Sequence, residues 1–260
     1  MSERDRLARE LRVAAERGEI IAQYQPQVDL HDGLLVALEA LSRWRHPSRG
    51  VIAPGEFIPL AEATGAMVAI GDVMLEAACR YGATLARAGR RIEVAVNVAA
   101  AQLRERSFVE RVAHHLRAFG MPASLLTLEL TETRPVPAEA AEALDGLRAL
   151  GVGVSVDDVR TVEEARARVL ALPITELKVD RSVIRRLPDD RGAAAQLLGF
   201  ARDHGLRSVA EGVETRPQFV AVRELGFDRA QGYLFGRPVA ARSITARLAH
   251  RPARGAAVRA

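Results

Sequence analysis

"IIAQYQPQVDLHDGLLVALEALSRW", residues 20 to 44, holds two apolar runs, 20 to 30 and 34 to 44, with only "HDG" between them. A connection that short, with Asp32 before Gly33, makes a hairpin, so these two segments run antiparallel. Six more runs rich in β-branched residues follow at 92–98, 125–131, 152–158, 174–180, 207–213 and 229–235. Helical patterns separate most of them. "PAEAAEALDGLRALG" puts Ala140, Leu144 and Leu147 on one stripe, and "TRPQFVAVRELG" opens with Thr215 and Gln218 as a capping box and stops at Gly226. Strand and helix in alternation predict parallel pairing, and eight strands is the number that closes a barrel. The expected fold is α/β, a TIM-like (β/α)8 barrel with its first strand antiparallel.

A chain of 260 residues, 48% hydrophobic, can bury one large core, which predicts a single barrel domain over residues 1–248. Residues 249–260 have no apolar period and read as a mobile basic tail. The net charge of +4 comes from cations interleaved with Asp and Glu, a solvated surface, and stretches such as "ARARVLAL" (165–172) read as solvated helix faces. With 4% aromatic residues there are few stacking platforms, so a nucleic acid polymer is not an expected partner. Cys79, the only cysteine, cannot form an internal disulfide, and its apolar setting predicts a buried thiol. Residues 1–20 lack the apolar core of a signal peptide and no run reaches membrane-spanning length, so a cytoplasmic protein without a membrane segment is expected.

Polar residues near the C-terminal ends of the runs are Glu39, Asn97, Glu129, Asp157 with Asp158, Lys178, Glu211 and Gln231. In a barrel those ends converge on one face. Five carboxylates and an amide there suit a hard divalent cation, Mg²⁺ or Mn²⁺, and metal-assisted hydrolysis of a phosphate ester. Lys178 is the only lysine of the chain and Asn97 its only asparagine. Strand alternation sends Asp157 and Asp158 to opposite faces, so both reach one cluster only if the strand ends at Asp157 and the chain turns there. Taken singly, Glu39 could pair with Arg43 or Arg45, and Asp157 could cap a helix near Thr161. Trp44 reads as a packed aromatic and His46 as a turn residue.

"EALSRWRHP", "VNVAAAQL", "LELTET", "SVDD", "LKVDRS", "AEGVET" and "QGYLFGRP", in that order from about Tyr24 to Pro238, resemble the EAL domain family, phosphodiesterases of the bacterial messenger cyclic di-GMP. The resemblance implies hydrolysis of cyclic di-GMP to linear pGpG with two Mg²⁺ or Mn²⁺ ions. It places Glu39, Asn97, Glu129 and Asp157 on one metal, and Asp157, Asp158 and Glu211 on a second. Lys178 is then the residue that holds or polarises the attacking water, and Gln25, Arg43 and Gln231 are substrate contacts, with Arg43 a bidentate phosphate clamp. Glu132 anchors a catalytic loop, and a homodimer through the barrel is implied.

The family's Phe-Gly-Thr-Gly-Tyr-Ser-Ser-Leu after the aspartate pair is replaced here by Val159 to Arg166, "VRTVEEAR". Loss of both glycines favours a helix that starts early, and Thr161 with Glu164 supplies its capping box. Arg160 is long enough to fold back onto Asp158 or Glu132. Ala99 and Ala37 stand where the family has serine and glycine. The altered loop keeps open a second reading, a cyclic di-GMP receptor or protein-interaction module without efficient hydrolysis.

Overall fold

Strands β1 (Ile20–Asp29) and β2 (Leu35–His46) form the hairpin, antiparallel from Ile20 opposite Trp44 to Val28 opposite Leu35. The turn is held by its own side chains. Asp29 Oδ1 accepts from the His31 N–H at 2.7 Å, Asp32 Oδ1 accepts from Leu34 at 2.9 Å, and Gly33 adopts the left-handed φ of 73° that reverses the chain. The computed structural model describes residues 3–130, 138–170 and 172–249. The expected tail therefore lies outside the described residues, except Ala249, which ends the helix Ala241–Ala249.

A three-residue strand the sequence did not reveal, β3 (Gly50–Ile52), pairs with Trp44 to His46 at the far end of β2. The remaining strands are β4 (Glu93–Val98), β5 (Leu126–Leu130), β6 (Gly153–Val159), β7 (Glu176–Val179), β8 (Arg207–Ala210) and β9 (Arg229–Gln231). Pairing runs β2-β4-β5-β6-β7-β8-β9, all parallel, and β9 closes antiparallel onto β1. The result is the expected eight-stranded barrel, with β1 reversed against both neighbours.

Alternation sorts every strand into two faces. Leu38, Val96, Leu128, Val156, Leu177 and Ala230 point outward, are 0–1% exposed, and pack beneath the surrounding helices. Each such Leu or Val contributes about 1.5–3 kcal/mol by leaving water, so the apolar core lies outside the strand ring. Ala140, Leu144 and Leu147 of the helix Ala138–Ala149 belong to it, as do Cys79 and Trp44. The helix Arg216–Leu225 has the predicted Thr215/Gln218 capping box and stops at Gly226. His46 departs from expectation: it is the last residue of β2, buried, with Nε2 3.0 Å from Glu10 Oε2 of the helix Glu3–Ala14, because β3 pairs back there and postpones the turn.

The inner face is small or polar. At its N-terminal end Glu93, Glu176, Arg207 and Arg229, the first residues of their strands, form a closed set of ion pairs. Arg229 and Arg207 reach Glu93 at 2.6 and 2.9 Å, and Arg207 reaches Glu176 at 2.7 Å. β4 and β8 are diametrically opposed in the ring, so the Arg207–Glu93 pair spans the barrel floor.

Candidate metal centre

At the opposite, C-terminal end the same inward positions carry Glu39, Asn97, Glu129, Asp157, Lys178 and Gln231. Glu211 follows directly after β8, its N–H held by the Val179 carbonyl at 3.1 Å. Lys178, 0% exposed, stands at their centre. Its Nζ is 2.7 Å from Glu211 Oε1, 2.9 Å from Glu129 Oε1, 3.2 Å from Asp157 Oδ1 and 3.9 Å from Glu39 Oε2. Burial by itself would depress this ammonium, but Asp157, Glu129, Glu211 and Glu39 together hold it well above its ordinary range. Burial also raises Glu129 and Glu211 well above the usual carboxylate range, against the pull of Lys178.

With every group ionised, five carboxylates and one lysine carry a formal charge of minus four, the charge that two divalent cations neutralise. Glu39, Glu129 and Asp157 offer oxygens within 4.8 Å of one another, and so do Asp157, Asp158 and Glu211. The fully buried Glu129 carboxylate meets Lys178 through Oε1, while its Oε2 has no hydrogen-bond partner among the described residues. Hard oxygen donors in two groups that share Asp157, with Glu129 Oε2 lacking any hydrogen-bond partner among the described residues, fit hard divalent cations.

The strand does not end at Asp157 as expected; β6 runs to Val159, and a bulge takes the place of the turn. Pairing to β7 skips from Val156 to Val159, and Asp158 is the one non-glycine residue with positive φ, 56°, among the described residues. Its N–H bonds to Asp157 Oδ1 at 2.8 Å. The extra residue brings both carboxylates to one side. Although much of Asp158 is exposed, its carboxyl is crowded by neighbours. Partial desolvation, the Asp157 charge and a hydrogen bond to Asp180 push it up to about 6.

Gln231 links Gln25 to Glu39. Gln231 Nε2 donates to Glu39 Oε2 and, at 3.1 Å, to Gln25 Oε1, while Asn97 Nδ2 donates to Glu39 Oε1 at 3.1 Å. Gly232 is required beside them, since any Cβ there would run into the Val213 backbone. Arg43 stands apart. It shares the face of Glu39 about 13 Å further along β2, and its Nη1 donates to the Ser42 carbonyl at 2.7 Å.

The carboxylates lie where two arms of a cleft join. One arm is apolar, with Pro54, Ile58, Met67, Ile70 and Met74, and the other is polar, with Arg181, Glu214 and Tyr233. Sequence reasoning missed three neighbours. Gln27 Nε2 donates to Gln231 Oε1 at 2.9 Å and was findable, being two residues from Gln25 on the same face. Asp180 caps the helix Arg181–Ile184 beside Asp158. Arg168, expected on a solvated face, is 5% exposed.

The segment after the aspartates is helical from Val162 to Val169, with Thr161 Oγ1 capping Glu164 N–H at 3.2 Å and Glu164 Oε2 accepting from Arg160 N–H at 2.9 Å. Arg160 forms no ion pair with Asp158 among the described residues. Glu132, expected to anchor this segment, lies outside the described residues.

A family model described as the EAL domain matches residues 8–238. The chain is 38% identical over 249 residues to the bifunctional diguanylate cyclase/cyclic di-GMP phosphodiesterase MucR of Pseudomonas aeruginosa, covering 94% of this chain and 36% of the relative. It is 41% identical over 236 residues to the cyclic di-GMP phosphodiesterase NbdA of the same organism, covering 88% of this chain and 30% of the relative. The chain thus spans about a third of the length of these relatives. A solved structure described as the PaMucR phosphodiesterase in complex with c-di-GMP superposes with a TM-score of 0.82 at 35% identity, covering 92% of this chain and 99% of that one. No helix among the described residues is long and apolar enough to cross a membrane.

Proposed function

The chain belongs to the EAL domain family, and on that premise we propose that it hydrolyses cyclic di-GMP to linear pGpG with Mg²⁺ or Mn²⁺. The observation that carries this is the pair of carboxylate groupings sharing Asp157, gathered around the buried Lys178. Glu39, Asn97, Glu129 and Asp157 would hold one ion, and Asp157, Asp158 and Glu211 the other. Asn97 gives its Nδ2 to Glu39, which leaves its amide oxygen for the ion. Such ions, when bound, lower the pKa of water and stabilise the leaving oxygen.

The chain's own residues do the rest. Lys178 lies buried beneath the cleft with its three ammonium hydrogens facing carboxylates, and to hold the attacking water it would exchange one of those contacts for the water. Gln231 fixes Glu39 and is itself held by Gln25, both line the polar arm, and Arg43, nearer the rim, meets a phosphate as it enters. The two arms diverge from the reacting centre, so a dinucleotide lying across it can place its two bases apart.

Chromatography of cyclic di-GMP incubated with Mg²⁺ or Mn²⁺ tests the proposal, with Glu39→Ala as control. pGpG formed by the wild type and not by the control is expected; no turnover at high enzyme concentration with either metal overturns it. The helix beginning at Val162, in place of a glycine loop, favours a second reading, a receptor that binds without efficient hydrolysis. Calorimetry showing tight cyclic di-GMP binding with no product would select it.

A further inference from the structure

A buried arginine ordinarily pairs with a carboxylate, because an uncompensated guanidinium is costly to desolvate. Arg168 forms no ion pair among the described residues. Its Nη1 donates to the Asp157 backbone carbonyl at 2.6 Å and its Nη2 to the Leu130 carbonyl at 2.7 Å. Both acceptors lie where the sheet stops supplying partners. Pairing of β5 with β6 ends at Leu130 opposite Val156, and pairing of β6 with β7 resumes only at Val159. Without Arg168 the Asp157 carbonyl would lose this buried donor at the bulge that turns the two aspartates together.

We propose that Arg168 is a positioning residue for the metal centre: by clamping the carbonyls of Asp157 and Leu130 it fixes the bulge that aims both the Asp157 and Asp158 carboxylates into the cleft. The helix Val162–Val169, which stands where the family has a glycine-containing loop, is what carries Arg168 back beneath the strand ends. The substituted segment therefore supplies a rigid support in place of a flexible one. This inference rests on the metal reading of the site.

The test is Mn²⁺ titration of the wild type, Arg168→Met and Arg168→Lys, followed by calorimetry and electron paramagnetic resonance, with circular dichroism to establish folding. The wild type is expected to take up two Mn²⁺ with an exchange-coupled spectrum. In Arg168→Met the second Mn²⁺ should bind about 10- to 100-fold more weakly and the coupled signal should vanish, as when partners behind metal ligands are removed. Arg168→Lys, which keeps the charge and one donor, should recover part of both. Coupled spectra and affinities unchanged in Arg168→Met overturn the inference while leaving the metal centre standing. A wild type that binds no Mn²⁺ instead overturns the metal reading itself and this inference with it. Should Arg168→Met not fold, Arg168→Lys carries the comparison, and an unaltered titration there overturns the role.

Discussion

Lys178 Nζ lies 2.7 Å from Glu211 Oε1 in a barrel mouth that leaves the lysine no exposed surface. In the proposed hydrolysis its task differs from that of the carboxylates around it, and the two can be separated. Lys178→Met should lower pGpG formation by about 10²- to 10⁴-fold, the range for loss of a positioned proton-handling group. Mn²⁺ affinity should stay the same or rise, because a competing internal cation is gone. A parallel loss of metal affinity and turnover would show that Lys178 holds the carboxylates and not the water.

Gln27 decides which way the Gln231 amide points. Its Nε2 occupies Gln231 Oε1, so the Gln231 Nε2 is left for Gln25 and Glu39. Gln27→Leu leaves that oxygen unpaired in a buried place, at a cost of about 1–3 kcal/mol. The expected kinetic signature is a raised KM for cyclic di-GMP with a smaller change in kcat. Steady-state rates over a range of substrate concentrations check it.

At the barrel floor Glu93 meets two arginines, and acid stability should report on it. Burial pushes its carboxyl up, but the hydrogen bonds and charges of Arg229 and Arg207 outweigh this and hold it below the ordinary 4.5. A carboxyl with a depressed folded value stabilises the fold fully above its unfolded value, and the contribution fades as pH falls through the folded one. Thermal melts should therefore drop below about pH 4.5 in the wild type. Glu93→Gln should melt lower at pH 7 and lose less on acidification. Parallel melting curves for the two proteins from pH 7 to 3 would contradict this.

Cys79 sits in the helix Met67–Arg87 with no exposed surface, and burial pushes its thiol up to about 12. At pH 8 roughly one molecule in 10⁴ carries the reactive thiolate. Iodoacetamide should leave the native protein unlabelled by mass spectrometry and label it once in urea. Prompt labelling of the native protein would show that the helix opens.

The barrel is legible because its strands alternate inside out. In "EVAVNV" the valines face the helices while Glu93, Ala95 and Asn97 face inward, and the same rule places Glu129, Lys178 and Gln231. β3 escapes notice because three residues have no period to detect. The bulge escapes because the residue that adopts the left-handed conformation is Asp158, where a glycine would have signalled it. Arg168 sits among alternating charges that read as a wetted helix face, and only tertiary structure shows its guanidinium turned onto the carbonyls of two strands. The Arg207–Glu93 pair joins residues 114 apart in sequence, beyond the reach of any local pattern.

The ion pairs that span the floor from β4 to β8 make the barrel a cup and not a tube. Whatever enters over the rim leaves over it, so in the proposed hydrolysis the outgoing product and the next incoming substrate would compete for one opening. Product inhibition should then be competitive, and a molecule wedged across the rim should arrest arrival and departure alike.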